Sequence, residues 1–169
     1  MPISREDLFL YLNDLNIKHS TIKHKPIFKV EDSLSLKKTM DGANTKNLFL
    51  KYKKGELFLV CAVSDTKINV NKLHQVLGCK RLSFGKTDVL KSALGITPGS
   101  VTLFSIINDT ALNVTLVIDK FLMDYKIVNF HPLLNDATTA ISSSDMIKFA
   151  KSTGHKPIVI DFAKLTEES

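Results

Sequence analysis

Among the side chains that could do chemistry in this 169-residue chain, Lys46 stands in the most suggestive setting, Thr45-Lys46-Asn47-Leu48-Phe49. It comes directly after the flexible run Asp41-Gly42-Ala43-Asn44 and opens an apolar stretch. Its ammonium is therefore expected at the mouth of a strand, where a point charge can hold a phosphate. Lys51, Lys53 and Lys54 follow, and Lys80-Arg81 come later. They form one phosphate-binding face if the two segments lie side by side, and a solvated hairpin face if they do not. His131 stands where the apolar run Ile127-Val128-Asn129-Phe130 meets Pro132. That is a loop at a strand end, where functional groups collect, although a loop histidine held by local hydrogen bonds has the same signature. Gly99, in Gly95-Ile96-Thr97-Pro98-Gly99-Ser100, would let backbone approach a ligand or present amides to a developing oxyanion; an ordinary proline-glycine turn is the plainer alternative.

Several chemistries lose their usual support. There is no G-x-S-x-G elbow, no Walker-type phosphate loop and no dinucleotide fingerprint. Cys61 and Cys79 lack the CxxC spacing of a zinc ribbon and read as reduced thiols; Cys79, beside Lys80 but after Gly78 at a helix end, reads as structural. His19, His24, His74 and His155 lack the i, i+4 spacing or cysteine partners of metal sites, so neither a metal nor a cofactor is expected. A formal charge of +6 and a pI near 9.3 favour an anionic partner. No apolar run approaches the roughly 20 residues of a membrane span, and the start lacks a signal peptide's order, so a cytoplasmic location with no membrane partner is expected.

The elements that must carry these groups follow from periodicity. Ser4 and Asp7 resemble a capping box ahead of Leu8, Tyr11, Leu12 and Leu15, which predicts a first helix ending near Asn16. A strand is expected over 17–23 and a short helix over about 31–40. Residues 48–51 and 57–63 should form a hairpin around Gly55, in the core of the sheet. Short helices are expected up to Gly78 and over 87–94 before Gly95. Strands are expected over 101–107, 114–118, 126–130, 138–141 and 158–162, with a helix over 144–152. The order predicts one α+β domain over 1–169, with a mixed, largely antiparallel β-sheet flanked by helices.

Taken in order, Thr45-Lys46-Asn47-Leu48-Phe49-Leu50, Arg81-Leu82-Ser83-Phe84, Gly95 to Thr102, Ile107-Asn108-Asp109 and Asn129-Phe130-His131-Pro132 resemble the prolyl-tRNA editing superfamily. The resemblance continues through Asn135, Thr138-Thr139-Ala140-Ile141 and Thr153-Gly154-His155-Lys156-Pro157, and so spans nearly the whole chain. It is closest to freestanding alanyl-tRNA(Pro) deacylases, and is similar to the editing domain of bacterial prolyl-tRNA synthetases and to the cysteinyl-tRNA(Pro) deacylase YbaK.

The resemblance implies hydrolysis of the ester joining a wrong amino acid to tRNA, by water and the 2′-hydroxyl of the terminal adenosine, without a side-chain nucleophile. It implies that Lys46 orients the phosphate region of that adenosine beside Asn47, that Gly99 and Ser100 meet the aminoacyl ester, and that His131 lines the amino-acid pocket. Lys51 and Arg81 would meet the acceptor stem. The implied partner is tRNA, with a prolyl-tRNA synthetase left open as a second. Cysteinyl-, seryl- and threonyl-tRNA remain alternative substrates, and a non-catalytic tRNA-binding module is the alternative of a different class. The family loop commonly reads Gly-x-x-x-Pro, whereas Gly99-Ser100-Val101-Thr102 here runs into Leu103.

Overall fold

The computed structural model describes residues 2–25, 42–52, 55–78 and 82–166. Helix α1, Arg5–Asp14, begins where extended Ser4 accepts the Asp7 amide at 3.1 Å, and Leu8 and Leu12 bury its inner face one turn apart. Asn16, at φ 59°, turns the chain out of it. Strand β1 is Ser20–Lys23, shorter than the expected 17–23. The helix expected over about 31–40 lies outside the described residues, as do Lys53, Lys54, Cys79, Lys80 and Arg81.

The remaining strands are β2 (Ala43–Lys51), β3 (Leu57–Val63), β4 (Ser83–Phe84), β5 (Val114–Asp119), β6 (Ile127–Phe130), β7 (Ala137–Ser142) and β8 (Ile158–Ile160). The helices are α2 (His74–Leu77), α3 (Thr87–Leu94), α4 (Ser143–Ser152) and α5 (Ala163–Thr166). Helix α3 closes on Gly95 at φ 70°, whose amide bonds the Lys91 carbonyl, the expected left-handed cap. The sheet runs β1-β7-β6-β2-β3-β5-β8, with β4 on β2. Contacts β2–β6, β3–β5 and β5–β8 are parallel and the rest antiparallel, so the fold is α+β with a mixed sheet, as expected. The β2/β3 hairpin occupies its centre, and β2 starts at Ala43, five residues before the expected 48.

The two sheet faces bury separate cores. Ala43, Phe49, Leu59, Cys61, Leu116, Val128 and Phe130 pack with Leu8, Leu12, Leu90 and Phe149 on one face. Leu50, Phe58, Val60 and Val117 pack with Leu73, Leu82, Ile160 and Phe162 on the other. Each fully buried leucine or phenylalanine contributes roughly 1.5–3 kcal/mol. Burial pushes the Cys61 thiol far above its ordinary range, so it stays a protonated, inert core residue.

One expected element differs in type. Residues 101–107 do not form a strand; Leu103–Asn108 is a 3₁₀ helix. The Thr102 hydroxyl oxygen accepts the Phe104 amide at 3.4 Å, and the Ser105 amide and hydroxyl both donate to the Thr102 carbonyl, at 3.1 and 2.6 Å. These local bonds compete with a strand ladder, and an apolar run buried on all sides has no alternation to distinguish the two.

Candidate active site

Strand β2 changes neighbours along one edge. Ala43 and Asn44 run beside Val128 and Asn129 of β6, whereas Leu50 and Lys51 pair with Phe84 and Ser83 of β4. Two bonds fix the polarity between these contacts: the Ser64 amide donates to the Asn44 carbonyl on the β3 side, and the Gly85 amide donates to the Phe49 carbonyl on the other, both at 2.9 Å. Alternation therefore turns the peptide groups of Asn47 to the edge between β6 and β4, where no described strand pairs with them. Gly85 is required at the far side of this opening, because a Cβ there would lie 2.2 Å from Phe49 Cδ2.

The two-residue period of a strand sorts the side chains at the opening. Thr45 and Asn47 share the face of Ala43 and Phe49, and Lys46 shares the face of Asn44 and Leu48. Thr45 Oγ1 donates to the Asn129 carbonyl at 2.6 Å and accepts Asn47 Nδ2 at 3.4 Å. Asn129 Nδ2 donates to Asn44 Oδ1 at 3.3 Å on the Lys46 side. Lys46 is half-buried, and among the described residues no hydrogen bond or ion pair holds its ammonium.

His131 follows β6, on the same side of the sheet as Asn129 and Lys46 by alternation. Its Nδ1 lies 3.0 Å from the Ala137 carbonyl, which can only accept, so Nδ1 carries the ring proton and Nε2 presents a lone pair. Burial holds the imidazole below its ordinary value of 6.5; the bond to Ala137 opposes this, His24 and Arg5 reinforce it, and Asp136 opposes it. The His24 ring stands 6.3 Å from that of His131, with Nδ1 on the Lys25 carbonyl at 2.7 Å and Nε2 on the Thr138 hydroxyl at 2.8 Å. Arg5 reaches across from α1, donating from Nε to the Pro132 carbonyl at 3.1 Å and pairing with Asp136, whose carboxyl it holds below the usual range. Thr102 Oγ1 donates to the His131 carbonyl at 2.7 Å, tying the Gly99 loop to the histidine loop.

The aminoacyl-tRNA editing domain model matches residues 24–149, a span that contains Lys46, the Gly99 loop and His131. This chain belongs to the aminoacyl-tRNA editing domain family. It is an aminoacyl-tRNA deacylase, a hydrolase that edits mischarged tRNA. It is 34% identical to prolyl-tRNA synthetase associated domain-containing protein 1 of Danio rerio, over 94% of this chain and 87% of that protein. It is 33% identical to the prolyl-tRNA editing protein ProX of Acetoanaerobium sticklandii, over 90% and 93%. The solved structure of a candidate trans-editing enzyme for prolyl-tRNA synthetase has the same fold, with a TM-score of 0.68 at 14% identity over 95% of this chain and 97% of that one.

In this editing domain the residues singled out from sequence fall into three groups. Lys46 and His131 share one sheet face by alternation, and Thr102 ties the Gly99 loop to the His131 loop. Pro98–Ser100 is a 3₁₀ turn closed by the Ser100 amide on the Thr97 carbonyl at 2.9 Å, with Gly99 exposed and Ser100 buried. Asn47 occupies the opposite face but offers its backbone at the open edge. Lys51 lies five residues beyond Lys46, ~17 Å along the strand, beside Ser83 and on the Asn47 side. Arg81 lies outside the described residues. Arg5, His24, Thr45, Thr102 and Asp136 were not singled out. Only His24, at a strand end before Pro26, carried a local signal, since the others act through partners remote in sequence.

Thr153, His155 and Asp109 line up as a hydroxyl, imidazole and carboxylate, at 2.8 Å for each step. The set is structural. Asp109 and His155 are buried, the Asp109 carboxylate also accepts the Asn113 and Val114 amides, and the Thr153 hydroxyl proton goes to the Ala150 carbonyl at 2.8 Å. Among the described residues no three His, Cys, Asp or Glu side chains gather as metal ligands, and no helix is long and apolar enough to cross a membrane.

Proposed function

We propose that this editing domain deacylates mischarged tRNA(Pro) in trans, with alanyl-tRNA(Pro) as its main substrate. The observation that carries the reading is the pairing of an unengaged ammonium, Lys46, with a neutral imidazole whose Nε2 is open, His131, on one sheet face beside an unpaired strand edge. A cation beside a hydrogen-bond acceptor suits the phosphate and aminoacyl ends of an aminoacylated adenosine. The names of the relatives, which join prolyl-tRNA and editing, support the choice of tRNA(Pro). Alanine is the error to expect, because a synthetase pocket built for proline cannot strongly reject a smaller apolar side chain.

In this mechanism a water oxygen bonds to the ester carbonyl carbon and the bond from that carbon to the ribose 3′-oxygen breaks. The 2′-hydroxyl relays the water's proton to the leaving 3′-oxygen. Lys46 anchors the phosphate of the terminal adenosine. Gly99 and Ser100 hold the ester against the opening, and Asn47 lies below it. His131 Nε2 accepts a hydrogen bond from the bound aminoacyl group and closes the pocket. Lys51 and Arg81 meet the acceptor stem, and prolyl-tRNA synthetase is the natural source of the substrate. Rate then comes from positioning and electrostatics rather than a covalent intermediate. A deacylation panel of alanyl-, cysteinyl-, seryl- and threonyl-tRNAs tests the reading: alanyl-tRNA(Pro) should be cleared fastest, and preference for another aminoacyl group would reassign the pocket.

A further inference from the structure

A cleft of ≈ 500 Å³ opens at the end of the sheet where β3 and β5 finish, with Val63, Thr66, Lys67, Phe121, Asp124 and Tyr125 among its lining residues. Its walls are pinned by one fully buried carboxylate. Asp119 Oδ2 accepts the Val63 amide at 3.1 Å and the Thr66 hydroxyl at 2.5 Å, and Oδ1 accepts the Phe121 amide at 3.0 Å. The strand end, the turn after it and the 3₁₀ turn Lys120–Asp124 are thus held in fixed relation, so the cleft is preorganised. Phe121 and Tyr125 are 39% and 41% exposed, high for aromatic residues, and Lys67 is exposed beside them. The cleft borders the start of β2: Val63, in its lining, is the partner of Thr45 in the hairpin, one residue along from the Lys46–Ala62 pair.

Aromatic faces, a lysine and two carboxylates, Asp65 and Asp124, surround a nucleotide-sized space, and these are elements that hold an unstacked base: rings stack on it, a cation meets its phosphate, and a carboxylate accepts its exocyclic amine. Among bases, cytosine offers an N4 amine to a carboxylate, whereas uracil offers a repelling carbonyl oxygen at the same place. We propose that this cleft binds an unstacked cytosine of the single-stranded 3′ end of tRNA, next to the terminal adenosine at Lys46. The inference rests on the tRNA-editing reading and extends it from the terminal adenosine to the nucleotides before it.

The test compares short RNAs ending in CCA and CUA, by fluorescence anisotropy with the full chain, and aminoacylated minihelix against aminoacyl-adenosine in hydrolysis. Wild type should prefer CCA. Tyr125→Ala should weaken CCA binding about tenfold, with Tyr125→Phe close to wild type. Asp124→Asn should abolish the preference for CCA over CUA. In hydrolysis, the Tyr125→Ala loss on the minihelix should exceed the loss on aminoacyl-adenosine about tenfold, because the latter carries no cytosine. Unchanged RNA affinity in both Tyr125→Ala and Phe121→Ala, or equal losses on the two substrates, would overturn the proposal. These binding effects without any ester turnover would support the cleft and sink the proposed reaction instead.

Discussion

What His131 can do depends on its ring staying neutral. Burial lowers its proton affinity, and the Ala137 carbonyl fixes the tautomer that leaves Nε2 as an acceptor. Deacylation should therefore persist as pH falls past 6.5, the ordinary histidine value, and decline only as pH passes the lowered value in the folded protein. Arg5→Gln removes one of the charges holding that value down, so the acid limb of the kcat/KM profile should move to higher pH; an unmoved limb would deny His131 this part. Stability has a matching sign. The unfolded chain takes up this proton near 6.5, before the folded chain does, so the His131 contribution to stability falls as pH drops below 6.5 and levels off beneath the lowered value. Lys46 and His131 were picked from the sequence because each sits at the edge of an apolar run, although Lys46 is the fourth residue of β2 rather than its entrance. The residues that set up His131 were not: Arg5 meets Pro132 across 127 residues and His24 meets Thr138 across 114, distances no local pattern encodes.

The elements that brought these side chains together were legible where local chemistry decides them. Ser4 accepts the amide three residues on at 3.1 Å and Gly95 closes α3, so these two ends could be read from their caps, whereas the Ser142 cap of α4, which accepts the Asp145 amide at 3.0 Å, was not read. The opening in β2 could not, because it depends on which strands flank β2 on one edge, and β4 is only two residues long. Residues 101–107 were misread as a strand for a different reason: a run buried from Thr102 through Ile107 shows no exposure period, and Thr102 instead caps a 3₁₀ helix. Thr102 joins the Gly99 loop to His131, so Thr102→Val should cost only about 1 kcal/mol of stability in a denaturant titration yet lower kcat clearly, since the linked loops lose their register. Gly85→Ala should act on the other side of the opening. Its Cβ would strike the Phe49 ring, and a loss of about 1–3 kcal/mol, seen as a lower Tm, is expected.

For the whole molecule the governing quantity is charge. With 23 basic against 17 acidic side chains, the domain should bind tRNA largely through counterion release. A fourfold rise in monovalent salt should weaken tRNA binding about tenfold if as few as two phosphates are contacted. Salt-independent affinity would point to a small anion as the ligand instead. The central claim is that a lysine on an open sheet face, aided by a neutral histidine, positions an aminoacyl ester for water. Its most direct test is single-turnover deacylation of alanyl-tRNA(Pro) by wild type and by Lys46→Ala. Wild type should clear the substrate well above the buffer rate while sparing prolyl-tRNA(Pro), and Lys46→Ala should lose about 100-fold in rate with an unchanged melting curve. Alanyl-tRNA(Pro) that decays no faster with wild type than in buffer, or a Lys46→Ala variant as fast as wild type, would contradict it.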